Sequence, residues 1–350
     1  MPYEAPGFVD HHTHLLRVSH PSVYGRRHES ITAFHRDVQE RGSTPMDELE
    51  KPLIVDDELR GDLERGLNEA RDLGLVEITE AGMIDWAYLD ALRDLRQRDV
   101  LPVRVRILVA SGIADVKRMQ RTGDPWLEII GVKLYADGWV GPRTCAMCQP
   151  FADEPDNAGV LFLDADTLAR RADPYAEAGW TVATHAIGDR GIETVLDAYE
   201  KVFGRDCAAA APRIEHAQVL NADLIRRMAE LGVVACIQPG FAVSDAESAR
   251  RALGGDRWEE SYRWDQLLDA GVRVIAGSDH PIESLSPLIG LHRLVTGDTE
   301  DGRSTGAPTL PLATSLALMT DASCGVTVLS DEPTEDNLRE IEIVEARPAI

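Results

Sequence analysis

Six side chains able to bind a metal ion or carry a proton stand at the ends of short apolar segments of this sequence. They are His12 and His14 in FVDHHTHLL, Lys133 in IIGVKLYADG, His185 in WTVATHAIGD, His216 in RIEHAQ and Asp279 in VIAGSDHP. A single histidine at a strand end is usually a hydrogen-bonded structural residue. Imidazoles and carboxylates recurring at matching positions instead indicate ligands for one or two divalent ions.

The spacing of the first histidines supports this interpretation. His12 and His14 are two residues apart, so on an extended chain their side chains point the same way. His11 lies between Asp10 and His12 and points to the other face. We therefore expect the pair His12 and His14, without His11, to bind metal.

Lys133 ends an apolar segment, where a charged amine would be costly to bury. Desolvation lowers a lysine pKa and leaves a neutral, nucleophilic amine. Such an amine can take up carbon dioxide to form a carbamate, an N6-carboxylysine whose two oxygens could bridge two metals. The alternative is a lysine whose amine reaches the solvent at the rim of the fold.

Asp279 is the candidate proton carrier. Beside a metal that makes hydroxide available near neutral pH, this carboxylate could take a proton from the attacking water and pass it to a leaving nitrogen. The alternative is an ordinary turn aspartate in the tripeptide GSD.

The elements that must position these residues are short apolar segments alternating with helical patterns. The predicted strands are Gly7 to Asp10, Leu75 to Thr79, Val103 to Val109, Ile129 to Leu134, Trp180 to Thr184, Arg213 to Glu215, Val233 to Ile237 and Val272 to Ala276. The predicted helices are Leu59 to Leu73, Tyr88 to Leu95, Ile192 to Val202 and Ala222 to Leu231. Eight such alternations predict an α/β fold, a (β/α)8 TIM barrel, with the six residues at the carboxyl ends of its strands.

The net charge of the chain limits the kinds of molecule that it could bind. A formal net charge of -24 argues against nucleic acid and against an anionic membrane surface. Five cysteines are an odd number, which does not favour a framework of disulfide bonds. The first residues lack the basic and apolar regions of a signal peptide. We expect a cytoplasmic protein with a small-molecule substrate. Long segments at 15–57 and 136–163 should build the pocket.

The longer phrases VKLYADGWVGPRT, THAIGDRGIETVLDAYE, RIEHAQVLNADLIRRMAELGV and GSDHPIESLSPL resemble the amidohydrolase superfamily, in particular the amidohydrolase-3 branch that includes N-substituted formamide deformylases. The resemblance runs from about Gly7 to Met319. It implies that His12, His14 and Asp279 bind one metal, that His185 and His216 bind a second, and that a carboxylated Lys133 bridges them. Zinc is the usual metal, with iron, manganese or nickel also used, and the usual reaction is hydrolysis of an amide, cyclic amide, formamide or imine C–N bond.

The sequence departs from the family in its small β-sandwich. Only nine residues precede Asp10, and Gly325 to Ile350 resembles the last two strands of that sandwich. We therefore expect a barrel over residues 1–324 and a strand remnant over 325–350. A homodimer contact would be one way to cover the barrel end.

The resemblance also places the ADG…RT segment on the substrate side. Trp139 and Arg143 become candidate substrate contacts, Arg143 by pairing with a substrate carboxylate or, alternatively, by bracing its loop. His280 could donate to a substrate oxygen or serve as a turn residue before Pro281. Glu80 is a candidate partner for a metal-binding histidine.

Other functions remain open from the sequence. Cys145 and Cys148 form CAMC, which suggests a redox pair, half a zinc site or loop packing. A lyase or decarboxylase could use the same metal centre. A barrel that binds a ligand without catalysis is the non-enzymatic alternative.

Overall fold

Ten strands and the helices between them form the part of the chain that the computed structural model describes, residues 2–15 and 57–349. The strands are β1 Tyr3–Thr13, β2 Leu75–Met83, β3 Arg104–Ala110, β4 Leu127–Tyr135, β5 Thr181–Ala186, β6 Arg213–His216, β7 Val234–Ile237, β8 Arg273–Ala276, β9 Thr320–Leu329 and β10 Ile343–Pro348. The helices are α1 Asp57–Asp72, α2 Trp86–Gln97, α3 Ala165–Glu177, α4 Asp189–Phe203, α5 Cys207–Ala210, α6 Ala222–Leu231, α7 Pro239–Ser244, α8 Ala246–Leu253, α9 Gly255–Glu259, α10 Trp264–Asp269, α11 Pro287–Thr296 and α12 Leu312–Met319. The predicted insertion at 15–57 lies almost wholly outside the described residues.

The first eight strands have the direction and order of the barrel that the sequence predicts. They run parallel and neighbour one another in chain order from β1 to β8. Just beyond β8, the N–H of Asp279 donates to the carbonyl of His12 at 2.7 Å, and the N–H of His14 donates to the carbonyl of His280 at 2.7 Å. These bonds join the carboxyl ends of the first and eighth strands. All eight predicted strands and the α/β TIM-barrel class are confirmed.

The helices pack apolar faces against this sheet, and α6 shows how the sequence sets their limits. The side chain of Asn221 accepts a hydrogen bond from the N–H of Leu224 at the start of α6, and Gly232 ends it at φ 71°, a conformation that suits glycine. Leu224, Ile225 and Met228 are buried. Their spacing places them on one face of the helix that the sequence predicts over Ala222 to Leu231.

The C-terminal strands continue the same sheet. β9 pairs antiparallel with the first half of β1, where Tyr3 lies opposite Leu329, and β10 pairs antiparallel with β9. The predicted boundary between residues 324 and 325 therefore falls inside β9. Among the described residues, no helix combines the length and apolar character needed to cross a membrane.

Candidate metal centre

Four imidazoles form a continuous chain at the carboxyl ends of β1, β5 and β6. The ring centroids of His14 and His12 are 5.3 Å apart, those of His12 and His216 are 5.0 Å apart, and those of His216 and His185 are 4.4 Å apart. His12 is fully buried and His14 is partly accessible. The fold therefore brings together the four histidines that the sequence singled out.

Asp279 faces the histidines of β1. Its Oδ1 lies 3.4 Å from His12 Nε2 and 3.2 Å from His14 Nε2. One ligand atom from each of these residues can be chosen so that all lie within 4.8 Å of one another. Two imidazoles and a carboxylate converging in this way match the donor set of a zinc site that keeps a position open.

A carboxylate orients each imidazole of β1 from behind. His12 Nδ1 contacts Glu215 Oε2, and His14 Nδ1 lies 3.4 Å from Glu80 Oε1. With Nδ1 held by a carboxylate, Nε2 is the atom left to bind a cation. The proposed role of Glu80 beside a ligand histidine agrees with this contact.

His185 is oriented by the loop that follows β4. Its Nε2 donates to the carbonyl oxygen of Gly138 at 2.8 Å, so Nδ1 carries the lone pair, and its ring stacks on Tyr135 with centroids 5.2 Å apart. Burial, reinforced by the nearby Lys133 charge, lowers the pKa of His185 to about 3. The ring is therefore neutral, the state in which an imidazole binds metal.

Lys133 is fully buried on β4, with Nζ 5.0 Å from the Tyr135 ring centroid. Burial lowers the pKa of Lys133 to about 8, against the opposing charges of Glu215 and Asp279. The amine does not reach the rim, so the alternative of a solvent-directed lysine is wrong. A pKa this low makes the neutral amine accessible near neutral pH.

Three nitrogens at the centre of the cluster test whether a cation fits. His12 Nε2, Lys133 Nζ and His216 Nδ1 are buried, and none has a hydrogen-bond partner in the described part of the chain. Buried polar atoms are normally paired. His12 Nε2 lies 3.4 Å from Asp279 Oδ1, and His12, His14 and Asp279 offer ligand atoms within 4.8 Å of one another. Buried nitrogens without partners next to this group fit a divalent cation, and the residues present therefore suit the metal that the sequence predicts.

The GSD tripeptide after β8 has a separate task for each residue. A Cβ on Gly277 would lie 2.4 Å from the backbone nitrogen of His12, so only glycine permits this approach. Ser278 donates its N–H and hydroxyl to Asp10, which also accepts the N–H of His12 at 3.0 Å. Asp10, which the sequence analysis did not select, thus binds β8 to β1 and places Asp279 beside the histidines.

Two of the candidate ligands have left-handed backbones. His216 has φ 80° and Asp279 has φ 59°. Non-glycine residues adopt this region rarely, and histidine there costs about 1–3 kcal/mol. Because His216 leaves extended geometry, both it and Glu215 reach the centre from β6, although neighbours on a strand normally face opposite sides.

The loop at 136–163 is fixed by a buried carboxylate. Asp137 accepts the backbone N–H groups of Ala146, Ile187 and Gly188. Burial raises the pKa of Asp137 to about 7, although those three donors oppose the shift. The loop is therefore held against the end of β5, next to His185.

Arg143 is occupied within that loop. Its guanidinium pairs with Asp153, with Nη2 2.5 Å from Oδ2, and Nη1 lies 3.2 Å from Ser248 Oγ. This geometry favours the loop-bracing alternative over a contact to a substrate carboxylate.

The other two candidate substrate contacts differ in exposure. Trp139 keeps 38% of its surface exposed. His280 is half-buried, with Nδ1 3.3 Å from the carbonyl of Glu283.

The properties of the two CAMC cysteines favour packing within the loop over a reactive role. Both are free, Cys145 is buried and Cys148 is exposed. Burial is the main cause of a raised pKa in both thiols, to about 11 for Cys148. Reactive cysteines have lowered pKa values, so the raised values favour loop packing over a redox pair.

Comparison with known proteins identifies the family. The model named "Amidohydrolase family" matches residues 26–332. The chain belongs to the amidohydrolase family. It is 34% identical over 230 residues to YtcJ of Bacillus subtilis (strain 168), which is named as an amidohydrolase, and 34% identical over 147 residues to N-substituted formamide deformylase of Arthrobacter pascens.

These matches cover 64% and 42% of this amidohydrolase-family chain but 43% and 27% of the two relatives, so the chain spans less than half the length of either. The fold agrees with that of an uncharacterized metal-dependent hydrolase from Pyrococcus furiosus, with TM-score 0.73 and 22% identity over 91% of this chain and 81% of that one. The family resemblance that the sequence motifs predicted is confirmed.

Proposed function

We propose that the protein is a metal-dependent hydrolase that cleaves a C–N bond of a small molecule, such as an amide, cyclic amide, formamide or imine. The observation that carries this proposal is the contact between four imidazoles and the Asp279 carboxylate. Buried nitrogens of His12, Lys133 and His216 that have no hydrogen-bond partner among the described residues add to it. The amidohydrolase family and the relative named N-substituted formamide deformylase support the bond type.

His12, His14 and Asp279 would hold one divalent ion, and His185 and His216 would hold a second, with Lys133 as a carbamate between them. Zinc suits this mixture of nitrogen and oxygen donors. Such an ion supplies Lewis acidity, which polarises a carbonyl or imine oxygen and makes hydroxide available near neutral pH.

Asp279 would move the proton. Its carboxylate lies beside the imidazoles of His12 and His14, at 3.4 and 3.2 Å from their Nε2 atoms, where it would meet a water held by the ion. It would take the proton of the attacking water and return it to the leaving nitrogen as the C–N bond breaks. Trp139 and His280 are the proposed substrate contacts, and the Arg143 ion pair is assigned to bracing the loop.

The test is a panel of formamides, hydantoins and N-acyl amino acids assayed with zinc-loaded protein and with protein stripped of metal. We expect turnover only in the loaded form. Asp279→Asn should abolish turnover and leave most metal bound, whereas His12→Ala should lower the metal content itself. Full activity in Asp279→Asn would exclude the proton-carrier role, and a protein that retains no metal would exclude the whole mechanism.

A further inference from the structure

Behind the imidazole of His12 lies a buried ion pair that the proposed metal ligands do not include. Arg213 and Glu215 are two residues apart on β6, and their side chains are 7% and 0% exposed. Arg213 Nε donates to Glu215 Oε1 at 2.7 Å, and its Nη2 donates to Oε2 at 3.1 Å. The guanidinium therefore binds both carboxylate oxygens, a geometry that fixes the carboxylate plane.

The pair holds His12 at two places. Glu215 Oε2 contacts His12 Nδ1, and Arg213 Nη2 also donates to the carbonyl oxygen of His11 at 2.8 Å. The ring and the preceding peptide of the same ligand are thus tied to one strand. We propose that Arg213 and Glu215 form a positioning clamp that fixes the tautomer and direction of His12, so that Nε2 faces Asp279.

The clamp is distinct from a further metal site. One atom each of His12, Glu215 and Cys236 can be chosen within 4.8 Å of one another, all buried. Both oxygens of Glu215 are already bound by Arg213, however, and burial raises the pKa of the Cys236 thiol well above its ordinary value. A protonated thiol and a carboxylate held by a guanidinium are poor cation ligands, which leaves orientation of His12 as the task of Glu215.

The contrast between the two β1 histidines makes the clamp informative. At Nδ1, His14 has the Glu80 carboxylate at 3.4 Å, and its side chain is partly accessible. His12 is fully buried, and its backbone N–H is also bound by Asp10 at 3.0 Å. His12 is therefore the rigid ligand of the pair, and the clamp is what makes its imidazole rigid.

The inference rests on the proposed metal centre, and its test measures zinc affinity rather than turnover. Zinc binding by the full chain is measured by competition with a chelator, for the unmodified protein and for Glu215→Gln. Loss of such a carboxylate partner typically weakens metal binding 10–100-fold, which is the result expected. Visible absorption of the cobalt-loaded protein should also change, because the geometry of one ligand has changed.

Glu77 provides a matched control. It is a buried carboxylate on β2 that pairs with Arg104 at 3.0 Å and Arg106 at 2.9 Å, without a histidine in the pairing. Glu77→Gln should lower stability yet bind zinc within about twofold of the unmodified protein and leave the cobalt spectrum unchanged. If Glu215→Gln does not fold, Arg213→Gln combined with Glu215→Gln removes both buried charges and carries the same expectation.

Unchanged zinc affinity in Glu215→Gln or in the double variant would overturn the clamp. If Glu77→Gln weakened zinc binding as much as Glu215→Gln, the effect would follow from lost stability in general, and the clamp would also be overturned. An unmodified protein that binds no zinc would exclude both the clamp and the metal centre. Weak zinc binding in Glu215→Gln, with no substrate cleaved by any form, would support the clamp while the proposed hydrolysis fails.

Discussion

The backbone N–H of Asp279 donates to the carbonyl oxygen of His12 at 2.7 Å, and the two side chains meet again at 3.4 Å. His12 lies on β1, and Asp279 follows the end of β8. The contact between barrel ends therefore coincides with the contact between two candidate ligands, and changes that separate β1 from β8 should be read out directly as loss of metal.

Gly277→Ala tests this coupling. Its Cβ would lie 2.4 Å from the nitrogen and 2.7 Å from the Cβ of His12, so the ends of β1 and β8 must move apart. We expect a loss of about 1–3 kcal/mol in the free energy of unfolding and at least tenfold weaker zinc binding, measured by denaturant unfolding and chelator competition.

Gly255→Ala is the control, because a Cβ there meets nothing within 4 Å. It should leave zinc affinity unchanged. Normal metal binding in Gly277→Ala would show that the centre tolerates movement between the strands.

Lys133→Ala tests the bridging carbamate. Removing the buried amine should lower zinc content from two ions per chain toward one, measured by elemental analysis, because the bridging oxygens are lost. Added short carboxylic acids should restore part of the lost activity by entering the space that the side chain leaves. Protein loaded under 13C-labelled carbon dioxide should show a carbamate carbon signal that is absent in the variant.

Lys201→Ala is the matched control, since Lys201 is an exposed lysine paired with Asp166. It should keep both ions and the carbamate signal. Two ions per chain in Lys133→Ala would refute the bridge.

Substitutions of Arg143 and Asp153 should have coupled effects on stability. Because their side chains pair at 11% and 25% exposure, Arg143→Gln and Asp153→Asn should each destabilise the protein, with a coupling energy of about 1 kcal/mol in a double-mutant cycle. Neither change should discriminate between anionic and neutral substrates. A selective rise in KM for anionic substrates in Arg143→Gln alone would instead restore the substrate-contact interpretation.

Stability should fall on mild acidification through His292. Its Nε2 accepts from Arg339 Nε at 2.8 Å, and burial together with the Arg339 charge lowers the pKa of His292 below its ordinary 6.5. The unfolded chain therefore binds the proton first, and stability is full above pH 6.5 and decreases as the pH falls below it. His292→Gln should show a shallower decrease in denaturant midpoint between pH 7.5 and 5.5, and an equal slope would contradict this assignment.

The barrel and its candidate ligands could be predicted from the sequence because the same recurring apolar segments indicate the strands and the positions of the ligands at their ends. Apolar segments predict strands, and residues such as His185 or Lys133 that end those segments must then collect at one edge. Glu215 was missed because neighbouring residues on a regular strand face opposite sides, so Glu215 should point away from His216. The left-handed backbone of His216 lets both side chains face the centre, and tertiary packing sets that conformation. The partner of Arg143 was equally hidden, since the pairing with Asp153 depends on loop conformation rather than on periodicity.

The left-handed backbone at His216 and Asp279 has a practical consequence for engineering. Glycine would suit either position better than the residue present, since it adopts these angles without steric penalty. Libraries ranked by heat resistance alone would therefore enrich replacements that remove the candidate ligands. Selection for robustness in this barrel needs a simultaneous requirement for binding of the proposed metal.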